Sequence, residues 1–345
     1  VRAADLAAAS ETNPVVLPVA ERIIAGSVGK PVEAGTCARI FTGAPMPEGA
    51  DTVVPQEEVT VTEAGVHFTK VPKQGSWVRR IGSDIAVGAT ILRAGDRLTP
   101  AAIGTVASIG RAYVTVYRKL RVGIFFSGNE LVQPGEPLPP GGIYNSNRYM
   151  IRSLLQTLGC EALDLGSIPD TFEATVRALE HASETADVIL TTGGMSVGEE
   201  DHLKPAVEAL GALDVWRVKL KPGKPLAFGH VRGVPYIGLP GNPVSGFVVF
   251  LMMARPYLLR RMGMTDIDMK PQQIRADFEW TKAGDREEFV RVRRNDAGGL
   301  DLFHTQNSQV LSSCAWADGL ADIPAGAVVK KGDLVAYYPF CQFFA

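Results

Sequence analysis

Three acids, Glu130, Asp170 and Asp201, each fall just past a run of residues that reads as a β-strand. In an open α/β sheet, ligands sit in the loops beyond the strand carboxyl ends. Three acids on successive loops there point to a metal site or a proton-transfer site. Their cationic counterpart is Lys219-Leu-Lys-Pro-Gly-Lys-Pro225, in which Lys221 and Lys224 flank a Pro-Gly turn. Such a turn is stiff, and lysine ammoniums act as compact point charges for phosphate and other oxyanions. A third piece is Leu239-Pro-Gly-Asn-Pro-Val-Ser245. Asn242 suits a helix cap and Pro243 the first helical position, which would leave the N–H groups of Val244 and Ser245 for an anion. Plainer readings stand beside these: a solvated surface turn for the lysines and a well-made helix entry for Asn242-Pro243.

The segment from Asp187 to Asp201 links the pieces. A short apolar β-type run ends in Gly193-Gly194, and Glu199, Glu200 and Asp201 follow before a helix-like stretch. Paired glycines let backbone N–H groups approach an anion closely, and acids hold hard metals. A tight βα turn with a solvated acidic lip fits the same residues. Together the acids, lysines and glycine turns describe a site for an anionic, phosphate-bearing ligand with a divalent cation between it and the carboxylates. G-x-x-x-x-G-K-[ST] and G-x-S-x-G are both absent, and the five histidines have no metal-ligand spacing.

The elements that must position these residues follow from periodicity. Strands are predicted over 121–126, 161–168, 187–191, 215–220, 225–229 and 234–239. Helices are predicted over 145–158, 171–186, 202–210 and 242–263, an alternation that means a mostly parallel sheet with helices on both faces. Residues 14–80 read as a small β-rich unit. Thr99-Pro100 opens a further helix, and Tyr113-Val-Thr-Val-Tyr117 has strand character. After Met264 the helical signals disappear, and strands are predicted at 274–278, 288–294, 300–303 and 334–338 in a β-barrel or sandwich of roughly 75 residues. The first unit is 1–10 plus 83–119, the second 11–82, the third 120–266 and the fourth 267–345. The plainer reading of Arg79-Arg80-Ile-Gly-Ser-Asp84 is a structural ion pair.

At 345 residues the chain exceeds one ordinary core. Its net charge of −2 gives no reason to expect nucleic acid or an acidic membrane as partner. The longest apolar run, 247–254, is too short to span a bilayer. Four cysteines without metal-type spacing read as free thiols in a reducing compartment. No signal peptide is visible, and since the chain begins at Val1 it reads as a fragment of a longer protein.

At these residues the chain resembles the molybdopterin molybdenumtransferases (the MoeA family, with the E domain of gephyrin). The likeness rests on Thr42-Gly-Ala-Pro-Met-Pro-Glu-Gly-Ala-Asp51, Gly82-Ser-Asp84, Ser127-Gly-Asn-Glu-Leu131, Thr192-Gly-Gly-Met-Ser-Val-Gly-Glu-Glu-Asp201, Lys221-Pro-Gly-Lys-Pro225 and Leu239-Pro-Gly-Asn-Pro243, and covers essentially the whole length. It implies an elongated multidomain subunit with an α/β central domain of the molybdopterin-binding type and flanking β-rich domains. It also implies a cytoplasmic homodimer with the cleft between two subunits, and a molybdopterin adenylyltransferase as upstream partner. The implied reaction inserts molybdenum from molybdate into adenylylated molybdopterin, releases AMP and depends on Mg²⁺.

By motif, Glu130, Asp170 and Asp201 would hold the metal and line the cofactor site. Lys221, Lys224 and Arg217 would bind phosphate or molybdate. Gly193, Gly194 and Ser196 would floor the cleft, Pro240, Pro243 and Ser245 would shape the molybdate pocket, and Thr42, Arg79 and Asp84 would come from other domains. Ser312-Ser313 corresponds to a polar patch facing the cleft. The family's Met-Asp-Gly-Tyr-Ala segment, with its aspartate, has no counterpart here. The competing readings are the related adenylyltransferase, which usually stands as one small domain, and a scaffold that kept the fold and lost the chemistry.

Overall fold

The computed structural model describes residues 1–194 and 202–344, the side chain of Trp216 excepted. Contacts divide it into two units, Val1–Thr90 and Ile91–Ala345. In the first unit, β1 (Val15–Leu17), β4 (Val59–Thr62) and β5 (Gly65–Phe68) form an antiparallel sheet, and β2 (Val19–Ile23) pairs in parallel with β3 (Cys37–Ile40). A 3₁₀ turn at Ala3–Leu6 seats Leu6 against Leu17, Cys37, Val66 and Phe68. The Val1 ammonium donates to the Thr52 carbonyl and the Ala3 N–H to Asp51, so residues 1–9 are sewn into this unit. Residues 51–55 read as a β run but form no strand.

The second unit opens with α1 (Pro100–Ser108), and the Thr99 hydroxyl accepts from the Ala102 N–H as its cap. Tyr113–Tyr117, expected as a strand, joins no sheet among the described residues and is largely exposed. Strand-forming residue types do not make a strand without a partner edge.

Next come β6 (Arg121–Ser127), the short parallel pair β7 (Leu131–Val132) and β8 (Ile143–Tyr144), α2 (Ser146–Thr157), β9 (Glu161–Ile168), α3 (Phe172–Thr185), β10 (Val188–Thr192), α4 (Leu203–Leu210), β11 (Gly211–Arg217), β12 (Leu220–Lys221), β13 (Pro225–Val231) and β14 (Val234–Leu239). The central sheet runs β11-β13-β14-β10-β6-β9. Its last four members are parallel, and β13 and β11 add an antiparallel edge. Successive side chains feed opposite cores: Ile124, Phe126 and Leu190 on one face, Phe125 and Ile189 on the other. Each fully buried Ile or Phe is worth about 2 kcal/mol. Asn145 and Thr171 cap α2 and α3 through their side chains. At the opposite end of the strands, Arg118 and then Arg121 hold the Asp187 carboxyl well below the usual range.

The predicted helix over 242–263 forms as α5 (Pro243–Val249), a π turn (Phe250–Ala254) and α6 (Arg255–Arg261). Beyond it, β15 (Gln272–Arg275), β16 (Glu287–Arg294), β17 (Leu300–Leu302), β18 (Gly319–Ile323) and β19 (Leu334–Pro339) build the C-terminal sheet. Two short helices there, α7 (Ser312–Trp316) and α8 (Phe340–Phe344), correct the helix-free expectation. Strand β18 lies outside the strands expected from the sequence. The sheet order is β12-β16-β18-β19-β15, so the two-residue strand that follows β11 belongs to the C-terminal sheet, not to the central one. The expected strand over 215–220 is therefore divided between two sheets.

Candidate active site

The described site residues gather at the carboxyl end of the central sheet. Beyond β6, the Ser127 hydroxyl donates to Asp170 Oδ1 at 2.7 Å, and the Asp170 N–H donates to Asn129 Oδ1 at 3.4 Å. Two adjacent strand ends are thereby joined, and Asp170 is half-buried while Glu130 is exposed. The Glu130 carboxylate folds back over Gly128, with Oε2 2.7 Å from where a Cβ would stand.

Beyond β10, Gly193 and Gly194 take φ of 85° and 60°, a region that favours glycine. The Gly193 N–H donates to the Leu239 carbonyl, and a Cβ on Gly241 would come 3.3 Å from Gly193 Cα. Asn147, at the start of α2, donates to the Gly241 carbonyl at 2.7 Å and to Thr192 Oγ1 at 3.5 Å. Its own Oδ1 is buried without a partner among the described residues. Two strand ends and one helix start thus meet within a few residues.

The lysine turn reaches the same end. Because β13 runs antiparallel to β14 with Ala227 opposite Gly238, Pro225 lies at the register of Pro240. The Val218 N–H closes the turn on the Lys224 carbonyl, and Gly223 packs so tightly on Val249 of α5 that a Cβ would collide with it. Arg217, Lys221 and Lys224 are exposed. Lys221 Nζ lies 2.9 Å from the buried Glu288 carboxylate and 6.0 Å from the Trp280 ring centroid.

The Pro-Gly-Asn-Pro turn departs from expectation. Asn242 makes no side-chain cap, and the Val244 N–H is spent on the Ser308 carbonyl, so the pair of free donors imagined at the start of α5 does not exist. Pro240 and Ser245 are buried and Pro243 is half-buried.

The remaining predicted residues belong to other parts of the chain or lie outside the described region. Thr42, Arg79 and Asp84 belong to the first unit and are exposed there, and among the described residues no ion pair joins Arg79 or Arg80 to Asp84. Ser196 and Asp201 lie outside the described residues. Ser313 is fully buried: its hydroxyl accepts from the Arg291 guanidinium and donates to the Val310 carbonyl, while Ser312 is exposed. Of the two serines only Ser312 is therefore exposed. A cavity of about 470 Å³ in the C-terminal sheet, lined by Asp277, Asp301, Phe303, His304 and Trp316 among others, contains none of the predicted residues.

Sequence reasoning passed over Ser127, Asn129, Asn147 and Glu288. The first two stood inside a quoted motif, and only the predicted strand end before them signalled their place. Glu288 gave no signal of its own, because its partner Lys221 is distant in sequence and meets it only when β12 pairs with β16.

Chemically, the described end offers carboxylate and hydroxyl oxygens on one side and ammonium and guanidinium groups on the other. Among the described residues, no group of three or more His, Cys, Asp or Glu is placed to hold a metal. An all-oxygen set with one or two carboxylates still suits Mg²⁺, which fills its other positions with water and substrate phosphate. The described helices include none long and apolar enough to cross a membrane.

Comparison with known proteins agrees with this architecture. Residues 123–260 match the probable molybdopterin binding domain, residues 1–110 the MoeA N-terminal region (domain I and II) and residues 273–340 the MoeA C-terminal region (domain IV). The flanking matches do not favour a single-domain adenylyltransferase. The chain is 35% identical to molybdopterin molybdenumtransferase 2 of Mycobacterium tuberculosis over 95% of its own length and 83% of that protein. It is 41% identical to the molybdopterin molybdenumtransferase of Haemophilus influenzae over 74% of its length, spanning 64% of that relative. A solved structure of the molybdopterin biosynthesis MoeA protein from Pyrococcus horikoshii OT3 superposes with a TM-score of 0.84 at 26% identity, covering 98% of this chain and 85% of that one. With all three regions matched in order and a 35% identical relative aligned over 95% of this chain, the chain belongs to the molybdopterin molybdenumtransferase family.

Proposed function

We propose that the chain acts in molybdenum cofactor biosynthesis as a molybdopterin molybdotransferase, inserting molybdenum from molybdate into adenylylated molybdopterin with release of AMP. The observation that carries this reading is the meeting of Ser127-held Asp170, the glycine turns and the lysine turn at one end of the central sheet. Family membership supplies the substrates, and the geometry supplies matching chemistry.

In this reading the glycine turn at Gly193-Gly194 gives the pterin and its phosphate close access to backbone. Asp170, with its Oδ1 occupied by Ser127, keeps Oδ2 for the substrate side. Lys221, Lys224 and Arg217 attract the molybdate oxyanion or the substrate phosphate, and Pro240, Pro243 and Ser245 give that pocket its wall. Mg²⁺ held by Glu130, Asp170 and Asp201 would supply positive charge at the phosphate. Thr42, Arg79, Asp84 and Ser196 are assigned to substrate binding on family likeness alone. So are the homodimer, the cytoplasmic location, the four-part domain division and the adenylyltransferase as supplier of substrate.

The test is an insertion assay with adenylylated molybdopterin, molybdate and Mg²⁺. Asp201→Asn or Lys221→Ala should abolish insertion and leave the far-ultraviolet dichroism unchanged. Wild-type activity in either variant would refute the roles, and consumption of ATP with plain molybdopterin would favour adenylyl transfer instead.

A further inference from the structure

Lys221 is held by the C-terminal sheet more than by its own turn. Strand β12 pairs in parallel with β16, with Leu220 opposite Glu287 and Lys221 opposite Glu288. The Glu287 N–H donates to the Lys219 carbonyl, and the Arg286 guanidinium donates to the Leu220 carbonyl at 3.4 Å. The Glu288 carboxylate is buried at 4% exposure and meets Lys221 Nζ at 2.9 Å, while the lysine side chain is 46% exposed. Room for that carboxylate comes from Gly284, where a Cβ would collide with Glu288 Oε1. The Trp280 ring flanks the ammonium at 6.0 Å.

A buried carboxylate is costly unless paired, so its partner is fixed in place. An ammonium has three donors. One spent on Glu288 leaves two for an incoming oxyanion, from a nitrogen that no longer wanders on its four-carbon stem.

Resting on the reading of Lys221 as an oxyanion ligand, we propose that Glu288 is a positioning residue, through which the C-terminal sheet sets where the Lys221 ammonium stands in the reaction. Removing the carboxylate has two opposed effects on ground-state binding. It frees the ammonium to move, and it takes away a negative charge near the anion. The expected signature is therefore a fall in turnover with little change in molybdate KM.

The experiment compares full chains in the insertion assay: wild type, Glu288→Gln, Lys221→Met and the double variant. Glu288→Gln should lower turnover about tenfold, keep the molybdate KM within about threefold, and cost almost nothing further in the Lys221→Met background, whose residual rate is read under single-turnover conditions with the chain in excess over substrate. Gly284→Ala retains both charges but displaces the carboxylate, and should reproduce the same Lys221-dependent loss. It also serves if Glu288→Gln melts early. Wild-type turnover in both Glu288→Gln and Gly284→Ala, or an equal loss with and without Lys221, would overturn the positioning role. A wild-type rate in Lys221→Met would overturn the reading of Lys221 itself, which keeps the two failures apart.

Discussion

Replacing Asp322 by asparagine should stabilise the protein at neutral and alkaline pH. Asp322 lies on β18, opposite Phe289 of β16 and Ala336 of β19. Its Oδ1 is buried without a partner among the described residues, and burial, followed by the nearby Glu287 carboxylate, pushes its pKa from 3.8 up to about 6. The folded state thus holds this proton more tightly than the unfolded chain. Below the unfolded value both states are protonated and nothing is lost. As pH rises, the unfolded chain releases its proton first, so folding is increasingly opposed until about pH 6 and by a constant amount above that. The full difference is worth about 3 kcal/mol, and partial exposure screens it to about 2 kcal/mol. Asparagine has the same shape, carries no charge and donates toward Glu287. Urea unfolding followed by tryptophan fluorescence, to which Trp280 and Trp316 contribute, should show a gain of about 2 kcal/mol at pH 8 that vanishes near pH 3.5. Destabilisation at pH 8, or an equal gain at both pH values, would refute the reasoning.

Other perturbations should separate the site from its frame. Ser127→Ala removes the hydroxyl that orients Asp170 and should lower insertion about tenfold while changing stability by less than about 1 kcal/mol, as assay and melt together would reveal. Gly194→Ala meets a φ of 60° and Leu203 Cδ1 at 2.5 Å, and should cost about 1–3 kcal/mol in chemical denaturation. Asp187→Asn breaks the contacts with Arg118 and Arg121 and should cost about 2 kcal/mol at pH 7. Because the folded carboxyl is held below its ordinary 3.8, that stability is present above 3.8 and drains away as pH falls through the folded value. The variant and wild type should converge in strong acid, and a constant gap would contradict the ion-pair account.

Much of the central unit was legible because its signals are local. A strand buried on both faces, such as Val188–Thr192, reads as an apolar run, and the caps at Thr99, Asn145 and Thr171 act within three residues of themselves. What escaped depends on distant partners. Gly319–Ile323 has small residues and an acid, poor strand formers alone, and is a strand because β16 and β19 lie on either side. Tyr113–Tyr117 has the opposite fate, with strand residues and no edge to join. At Asn242 the local cap chemistry lost to a longer-range contact, since Ser308 takes the Val244 N–H. The acids and lysines of the site were readable as types and positions. Their supports, Ser127 on Asp170 and Glu288 on Lys221, were not, because each bond spans tens of residues.

The central claim is that this site exchanges AMP for molybdenum on one substrate, and the most direct measurement counts both products in one tube. With adenylylated molybdopterin and Mg²⁺, adding molybdate to the chain should release AMP and load molybdenum on the pterin in equal amounts, and Lys221→Ala should do neither. AMP release with no molybdenum bound to the pterin, or undiminished loading by Lys221→Ala, would contradict it.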